Sequence, residues 1–324
     1  MERKLINLDE ARLMAKKIIE NIENVIIGKK LAVELAVVTL ICQGHALIED
    51  VPGVGKTMLA RSLSKSLGCD FSRIQFTPDL LPSDITGVSI YNQKTGDFQY
   101  KPGPVVSQLV LADEINRATP KTQSALLEAM DERQVTVEGI THLLPRPFIV
   151  MATQNPIEYE GTFPLPEAQL DRFFLKISLG YPSIKEEIQI VENQKQVHPI
   201  ENLEEVVSDR EIIEIQEVIK DIYVDDRLKE YVVQVVEMTR THSDVALGSS
   251  PRGSIAMING IKALALIRGR DFALPDDIKE LADPILNHRI VVSSPARMRG
   301  VSSRDIIDSI LSQISVPGNV TLGR

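Results

Sequence analysis

Apolar residues in the first 180 positions form short runs separated by stretches with helical spacing. The apolar positions recur at helical intervals over two stretches, 8–24 and 29–42, which predicts two helices. Five later runs have the length of buried strands. These runs cover residues 45–49, 71–76, 108–114, 146–155 and 172–179. Because helical patterns fall between several of these runs, the sequence predicts an α/β fold with a parallel sheet flanked by helices.

Two stretches depart from this alternation and are typical of β-hairpins. Residues 88–101 have a strand–turn–strand pattern with TGD at positions 95–97. Residues 133–144 have a second such pattern with EG at positions 138–139. We therefore expect two hairpin insertions in the α/β part of the chain.

The pattern changes again after Tyr181-Pro182. Residues 183–315 have helical periodicity and no convincing alternation of the kind that predicts strands. Proline next to a polar stretch is a common boundary signal. The sequence therefore predicts a core over residues 1–182 and a smaller, all-helical C-terminal lid domain over residues 183–324.

The segment LIEDVPGVGKT, residues 47–57, joins an apolar strand end to a helical pattern through a loop rich in glycine and proline. A phosphate-binding P-loop, G-x-x-x-x-G-K-[ST], requires this order of strand, loop and helix. Backbone N–H groups of such a loop point at one place and favour an anion there. Lys56 would reach the outer phosphates of a nucleotide, and the hydroxyl of Thr57 would bind Mg²⁺.

Asp50 stands where the P-loop pattern has its first glycine. Aspartate can adopt turn conformations when its side chain bonds to the nearby backbone. Gly53 and Gly55 still allow a close approach of the backbone to a phosphate. The alternative is a strand–turn–helix that contains GKT by chance, and a second motif argues against it.

That second motif is the run LVLADEINRA, residues 109–118, which ends a strand pattern with Asp113 and Glu114. Carboxylates at the carboxyl end of a parallel strand lie over the crevice where ligands bind. Asp113 is suited to Mg²⁺, either directly or through water, because Mg²⁺ prefers carboxylate and phosphate oxygens. Glu114 is placed to orient and polarise an attacking water. A surface acidic pair is the alternative.

The net charge of −9 and the sequence pI of about 5.2 oppose broad nucleic-acid binding, which requires a basic face. Cys42 and Cys69 have no metal-ligand spacing, and we expect buried free thiols in a reducing compartment. The N-terminus lacks the apolar region of a signal peptide, and the run LAVELAVVTLIC is too short to cross a bilayer. We therefore expect a cytoplasmic protein without a membrane span.

Residues 25–181 resemble the nucleotide-binding core of AAA+ ATPases, and the chain is most similar to the MoxR family. The strings that carry this resemblance are LIEDVPGVGKT, LADEINRA, MATQNP, LPEAQLDRFF and, in the helical part, ALGSSPRG. The resemblance covers nearly the whole chain. It implies ATP hydrolysis with Mg²⁺ in a homo-oligomeric, hexameric ring, and MoxR proteins have been proposed to act as chaperones.

The resemblance implies roles for three residues outside the P-loop and the acidic pair. Asn155 matches the sensor-1 position, where an amide hydrogen-bonds the γ-phosphate and the attacking water; a capping role before proline is the alternative. Arg172 matches the arginine finger that acts on a neighbouring subunit's nucleotide; a surface ion pair with Asp171 or Glu167 is the alternative. Arg252 matches sensor 2, which contacts the phosphates of its own subunit; a plain arginine of a first helical turn is the alternative.

Ile27 and Gly28 match the segment that holds adenine, although a simple helix start would look the same. The nucleotide-binding residues expected from the motif and the resemblance are Ile27, Gly28, Pro52, Gly53, Val54, Gly55, Lys56, Thr57 and Met58. The metal ligands expected are Thr57 and Asp113. Arg117 could face the phosphates of a neighbouring subunit, or it could pair with Glu114 or another acidic residue, and the sequence leaves these alternatives open.

The resemblance also implies the kind of partner. In related machines the two hairpins project toward the ring centre, so Tyr91, Phe98 and Tyr100 are candidates for contacts with a protein client; cross-strand packing is the alternative. A separate protein with a von Willebrand factor A-type domain is a second expected partner. A nucleotide-gated assembly module and a chelatase-type motor subunit with slow turnover remain alternatives to a chaperone-like remodelling factor. The acidic balance opposes a DNA-directed function.

Overall fold

The fold combines one central parallel sheet with a helical C-terminal part. The computed structural model describes residues 6–94, 96–155, 161–193 and 198–317. In chain order the strands are β1 (Ala46–Glu49), β2 (Phe71–Gln75), β3 (Gly87–Asn92), β4 (Asp97–Pro102), β5 (Leu109–Asp113), β6 (Gln134–Val137), β7 (Ile140–Leu143), β8 (Ile149–Gln154), β9 (Leu175–Ile177), β10 (Val245–Leu247) and β11 (Val291–Val292).

The helices surround the sheet and then form the C-terminal part. In chain order they are α1 (Leu8–Glu23), α2 (Lys30–Ile41), α3 (Lys56–Ser66), α4 (Pro82–Thr86), α5 (Pro120–Glu132), α6 (Glu167–Leu170), α7 (Ile184–Asn193), α8 (Asp209–Val218), α9 (Asp226–Thr241), α10 (Pro251–Ile267), α11 (Pro275–Leu286), α12 (Ser294–Met298) and α13 (Ser303–Gln313). In the described part of the chain, no helix has both the length and the apolarity needed to cross a membrane.

The central sheet has the strand order β2-β5-β8-β1-β9, and all of its neighbouring pairs are parallel. Successive side chains along a strand point to opposite faces. Leu109 and Leu111 of β5 accordingly join one buried cluster, and Val110 and Ala112 join a second cluster on the other face. Burial on both faces explains why β5 is a continuous apolar run in the sequence. The predicted α/β fold with helices on both faces is confirmed.

Both predicted hairpins are present. β3 pairs with β4, and β6 pairs with β7, each in antiparallel register. The turn of the second hairpin has positive φ at Glu138 and Gly139, as a two-residue type I′ turn requires. Thr95, which we assigned to the turn of the first hairpin, lies outside the described residues. The rings of Tyr100 and His142 stack at 3.9 Å between centroids and join the two hairpins.

The C-terminal part is not entirely helical, which corrects one detail of the prediction. β10 and β11 form a two-stranded antiparallel sheet with an irregular register between Val245 and Leu247. Strands of two and three residues are too short to produce a detectable alternation. Elsewhere in the described residues of this part there are helices, 3₁₀ turns and loops, with one isolated bridge between Tyr223 and Phe272.

The last core strand also begins later than predicted, at Leu175 instead of Arg172. Side chains of the C-terminal part form hydrogen bonds with the main chain just before this strand. His288 lies 3.1 Å from the carbonyl oxygen of Phe173, and Arg289 donates to the carbonyl oxygens of Phe173 and Phe174. These carbonyl groups therefore serve a tertiary contact instead of a strand ladder, which short-range patterns cannot reveal.

One apolar cluster extends across the predicted domain boundary at Pro182. It includes Ile18 of α1, Val37 of α2 and Leu264 of α10. The N-terminal helices therefore pack against both the sheet and the C-terminal helices. The boundary itself stays a prediction.

Candidate functional site

The candidate site lies at the carboxyl edge of the central sheet. β1 ends at Glu49 and continues into the P-loop, β5 ends at Asp113, and β8 ends one residue before Asn155. Since these strands are parallel neighbours, their carboxyl ends meet at one edge. The structure thus brings together the motifs that the sequence placed far apart.

The P-loop has the backbone that its glycines permit. Gly53 and Gly55 have φ values of +86° and +102°, a backbone region that residues other than glycine rarely adopt. Gly55 is the N-cap of α3, and Lys56 is the first residue of that helix. The first N–H groups of a helix have no intrahelical partner, and with the helix dipole they favour a phosphate. Nζ of Lys56 donates to the carbonyl oxygen of Asp50 at 2.6 Å, so the ammonium group lies across the loop.

Asp50 explains why the first glycine of the P-loop pattern is absent. Its side chain is 8% exposed, and Oδ2 accepts from the N–H groups of Leu179 (2.6 Å) and Gly180 (2.7 Å). Oδ1 accepts from the N–H of Val51 at 2.9 Å. This is the bond to the nearby backbone that we expected from the sequence. The carboxylate therefore ties the start of the P-loop to the segment after β9. The sequence could not show this, because the partners lie 129 and 130 positions away.

Asp113 is buried and accepts three hydrogen bonds. Its Oδ1 accepts from the hydroxyl of Thr153 at 2.6 Å, and its Oδ2 accepts from Nη2 (2.5 Å) and Nε (3.1 Å) of Arg73. A carboxylate offers about four lone-pair sites. The remaining site suits a water molecule of a hydrated Mg²⁺ better than direct coordination, which would displace Arg73. Thr153 and Arg73 belong to neighbouring strands, and the sequence analysis did not identify them.

Glu114 has an unusual backbone conformation, with φ of +57° and ψ of +49°. Such a conformation in a residue other than glycine costs about 1–3 kcal/mol and requires support from its surroundings. The hydroxyl of Thr153 accepts from the Glu114 N–H at 2.8 Å. The carboxylate of Glu114 accepts from Nε2 of Gln75 at 2.9 Å and forms an ion pair with Arg117 at 3.2 Å. The sequence analysis did not identify Gln75 and left the pairing of Arg117 with Glu114 open.

Asn155 follows β8, which neighbours β5 with Ala152 opposite Ala112. This register places Asn155 beyond the level of Asp113, at the carboxyl edge, where its side chain is 6% exposed. The position agrees with a contact to a phosphate bound in the P-loop. Its sensor role stays a prediction.

An apolar cavity of about 180 Å³ opens beside the P-loop. The predicted nucleotide-binding residues among its lining are Ile27, Gly53, Val54, Gly55 and Met58. The C-terminal side adds residues that the sequence analysis missed, namely Pro182, Ile190, Asn193, His198 and Pro199. This mainly apolar lining with a few polar groups is typical of a site for a small molecule or cofactor. Gly28, next to Ile27, has φ of +73°, a conformation that favours glycine.

Arg172 lies at the opposite, amino edge of the sheet. β9 is parallel to β1 with Leu175 opposite Ala46, so Arg172 precedes both strands. Asp50 is four residues beyond Ala46, which corresponds to about 13 Å along the strand. The guanidinium of Arg172 donates to the carbonyl oxygen of Leu127 at 3.0 Å and pairs with Asp131 of α5 at 2.5 Å. The ion pair thus involves Asp131, and neither of the two partners considered from the sequence.

Arg252 lies at the same edge, on the far side of the sheet from the P-loop of its own chain, and its contact with phosphates stays a prediction. It is an exposed residue of the first turn of α10, whose N-cap is Ser250. The hydroxyl of Ser250 donates to Oδ2 of Asp171 at 2.9 Å, so the start of α10 lies beside the turn before β9. The packing of α10 against α1, α2 and α11 fixes this position. The sequence resemblance transferred the residue but not the placement of the helix.

Both cysteine thiols are free, and both residues are partly buried instead of fully buried. Sγ of Cys42 donates to the carbonyl oxygen of Asn259 at 3.4 Å. Burial raises the pKa of the Cys69 thiol to about 12, with a smaller contribution from neighbouring carboxylates. These thiols therefore stay protonated near neutral pH and have no part in the site.

Comparisons with known proteins agree with this architecture. The sequence profile of the "ATPase family associated with various cellular activities (AAA)" matches residues 45–175, and that of the "AAA lid domain" matches residues 237–310. The Bacillus subtilis protein YeaC is 54% identical over 301 residues, which cover 93% of this chain and 94% of YeaC. The Mycobacterium tuberculosis protein named Chaperone MoxR1 is 43% identical over 317 residues, which cover 95% of this chain and 83% of that protein.

A crystal structure of a protein from Cytophaga hutchinsonii superposes with a TM-score of 0.90 at 41% identity, and the match covers 96% of this chain and 97% of that one. The sheet, the P-loop, the acidic strand end and the C-terminal helices thus define an AAA+ ATPase. The chain belongs to the MoxR family of these ATPases.

Proposed function

We propose that the protein hydrolyses ATP with Mg²⁺ and uses the cycle to remodel or mature partner proteins. The observation that carries this proposal is the convergence of the P-loop, Asp113, Glu114 and Asn155 at one sheet edge beside an apolar cavity. Phosphoryl transfer depends on positioning and electrostatic stabilisation more than on covalent chemistry. A set of fixed polar groups around a phosphate site is what this reaction requires.

Each residue has a defined task in this proposal. The N–H groups of the P-loop and the ammonium group of Lys56 hold the phosphates. To bind a phosphate, Lys56 gives up its hydrogen bond to the carbonyl oxygen of Asp50. Glu114 orients and polarises the attacking water, and Asn155 assists it. Mg²⁺, when bound, neutralises charge on the phosphates. Thr57 would hold the ion through its hydroxyl, and Asp113 would accept a hydrogen bond from a water molecule of the ion, because Thr153 and Arg73 already occupy its other acceptor sites.

We further propose that Arg172 and Arg252 act on the nucleotide of a neighbouring subunit in a hexameric ring. Their shared edge, on the far side of the sheet from the P-loop, supports an action in trans over an action in cis. An arginine finger contributes about 10³–10⁵ in rate where it has been measured. An isolated subunit would therefore bind nucleotide and hydrolyse it poorly.

The two hairpins are the proposed contact with a protein client or with a von Willebrand factor A-type partner. Tyr91 and Phe98 are 52% and 67% exposed, and their rings lie 5.3 Å apart on one hairpin. Such exposed aromatic pairs are typical of protein contacts. Tyr100, in contrast, is stacked on His142 and is suited to packing. The name of the relative Chaperone MoxR1 supports a chaperone-like role.

A second candidate is a nucleotide-gated assembly module with slow turnover. Gln75 and Arg117 both contact Oε2 of Glu114, so this oxygen must exchange a partner before it can orient a water molecule. A partner or a ring neighbour that releases Glu114 would then accelerate the reaction. Turnover measured with and without a partner separates this candidate from a continuously active motor.

The proposed reaction is tested by Glu114→Gln. The variant keeps the size of the side chain and loses the negative charge, so we expect intact ATP binding and a turnover lowered by about 10²–10⁴-fold. Steady-state phosphate release measures the turnover. Glu128→Gln, on the exposed face of α5, is the matched control and should behave as the unmodified protein. Hydrolysis by Glu114→Gln at the unmodified rate would reject the proposed role of Glu114.

A further inference from the structure

A buried guanidinium group holds the turn that carries Arg172. Arg289 is 7% exposed and belongs to the 3₁₀ turn Asn287–Arg289, which follows α11 in the C-terminal part. Its side chain reaches back to the amino edge of the sheet, more than 100 positions away in sequence. A fully buried charge is rare in proteins unless it is paired. Arg289 therefore has a specific structural task.

The contacts of Arg289 surround the backbone of Arg172 on both sides. Nε donates to Oδ1 of Asp171 at 2.8 Å. Nη2 donates to the carbonyl oxygen of Phe173 at 2.7 Å, and Nη1 donates to that of Phe174 at 3.1 Å. Nη1 also donates to the carbonyl oxygen of Ile285 in α11. One planar group thus binds the residue before Arg172 and the two residues after it.

Asp171 extends this set of contacts to a second C-terminal element. Its Oδ2 accepts from the hydroxyl of Ser250, the N-cap of α10, at 2.9 Å. The same hydroxyl accepts from the N–H of Arg252 at 3.1 Å. Both candidate trans-acting arginines are therefore attached to one junction, formed by Arg289, Asp171 and Ser250.

The side chain of Arg172 is fixed less firmly than its backbone. It is 30% exposed, and its Nε is buried without a hydrogen-bond partner in the described part of the chain. Its guanidinium contacts α5 through Leu127 and Asp131. A catalytic group on such a side chain depends on the turn beneath it, because a misplacement of about 1 Å can cost about 10²-fold in rate.

We propose that Arg289 is a positioning residue for Arg172, so that the C-terminal domain of each subunit sets the finger that the subunit offers to its neighbour. This inference rests on the proposed trans role of Arg172. Arginine is required because only its planar fork provides donors to a carboxylate and to several carbonyl groups at once. Movement of α11 or α10 would then shift Arg172 without any change in the P-loop of the same chain.

Arg289→Lys tests the proposal, because lysine keeps the charge and loses the fork. We expect turnover to fall by about 10²-fold. The dissociation constant for ADP should stay unchanged, since the P-loop of the variant is intact. Arg268→Lys is the matched control, because Arg268 is also an arginine of the C-terminal part with ion pairs. It pairs with Glu280 of α11 and Glu34 of α2 and is 32% exposed. It should keep unmodified turnover.

Mixed rings separate positioning from general damage. Arg289→Lys and Glu114→Gln chains carrying different tags are co-expressed and purified through both tags. The Arg289→Lys chains have a working P-loop, and the Glu114→Gln chains supply a correctly held Arg172. We therefore expect turnover well above that of either variant alone. Arg172→Ala chains mixed with Glu114→Gln chains provide the reference for a finger that acts in trans.

The outcomes distinguish the two proposals. If the Arg172→Ala mixture shows no recovery, the trans role of Arg172 fails, and the proposal for Arg289 fails with it. If that mixture recovers and the Arg289→Lys mixture does not, Arg289 is not a positioning residue. Loss of ADP binding in Arg289→Lys also overturns the proposal. Should Arg289→Lys not fold, Asp171→Asn replaces it, and unmodified turnover of Asp171→Asn would contradict the account.

Discussion

At the scale of single residues, Asp50 departs from the P-loop motif, and its hydrogen bonds give a structural reason for the departure. A glycine at this place would provide conformational freedom, whereas the carboxylate provides acceptors for the N–H groups of Val51, Leu179 and Gly180. Buried N–H groups without an acceptor are costly. The residue therefore stabilises both the P-loop and the segment that leads from β9 toward Pro182.

Asp50→Gly restores the P-loop pattern and removes these acceptors. We expect the free energy of unfolding to fall by about 2–4 kcal/mol. The buried N–H of Leu179 loses its acceptor at a cost of about 1–3 kcal/mol, and the partly buried N–H groups of Val51 and Gly180 cost less because water can reach them. Urea unfolding monitored by circular dichroism measures the change. Asp50→Asn keeps one acceptor oxygen and is the control with a smaller loss. An unchanged stability of Asp50→Gly would show that the motif glycine suffices.

Glu114 and Asp113 are held in place by hydrogen bonds from residues on adjacent strands. Thr153 bonds to both residues and fixes the strand end. Arg73 and Gln75 come from β2. The acidic pair is therefore part of a polar cluster that spans three strands.

At the scale of elements, His45 joins β1 to its neighbours. Nδ1 accepts from the N–H of Val150 in β8 at 2.9 Å, and Nε2 lies 3.1 Å from the carbonyl oxygen of Met130 in α5. The ring is therefore neutral with its proton on Nε2. Burial is the main cause that lowers the pKa of His45 from 6.5 to about 4. A charged ring would lose the bond to Val150, because both nitrogens would then be donors.

This geometry predicts a loss of stability in mild acid. The folded-state pKa of His45 lies below the unfolded value, so its contribution is fully present above pH 6.5 and is lost as pH falls toward about 4. A difference of about 2.5 pH units corresponds to roughly 3 kcal/mol. Urea unfolding between pH 7.5 and 4.5 measures the effect. His45→Gln should be less stable at pH 7.5 and should lose less stability on acidification.

His288, whose pKa burial also lowers, is present in both proteins, so it does not affect this comparison. Equal pH dependence of the two proteins would contradict the assignment to His45.

How much of the molecule the sequence predicts depends on the range of the interactions involved. The three central strands β1, β5 and β8 are buried on both faces, so each leaves an apolar run in the sequence. The two hairpins leave alternation and turn residues. In contrast, β10 and β11 exist only through a pairing between segments more than 40 positions apart, and each is too short for a pattern. The late start of β9 follows from Arg289, which is more than 100 positions away.

The same distinction between local and long-range interactions applies to the residues of the candidate site. Lys56, Thr57, Asp113 and Glu114 belong to contiguous motifs whose residue order reflects the chemistry of phosphate binding. Asn193 and His198 of the cavity carry no local signal, because they become part of the site only when the helical part folds against the P-loop. The position of Arg252 could not be predicted for a related reason, since a motif identifies a residue but not the packing of its helix.

At the scale of the whole molecule, the two edges of the sheet have different tasks. The carboxyl edge carries the P-loop and the acidic pair, and the amino edge carries Arg172 and Arg252. A chain built in this way contributes a nucleotide site on one side and arginines on the other. We propose that a closed ring combines these two halves between neighbours, while the hairpins contact a client.

The central claim is that a nucleotide binds between the P-loop and the tip of β5. Isothermal titration calorimetry with ATP and Mg²⁺ tests it most directly, using Glu114→Gln protein freed of copurified nucleotide so that no hydrolysis interferes. We predict saturable binding with a dissociation constant of about 1 µM to 1 mM. The additional change Lys56→Ala should weaken binding by about 10- to 100-fold, whereas Lys16→Ala, on the exposed face of α1, should not. Absence of binding to the folded Glu114→Gln protein, or equal binding after Lys56→Ala, would contradict the account.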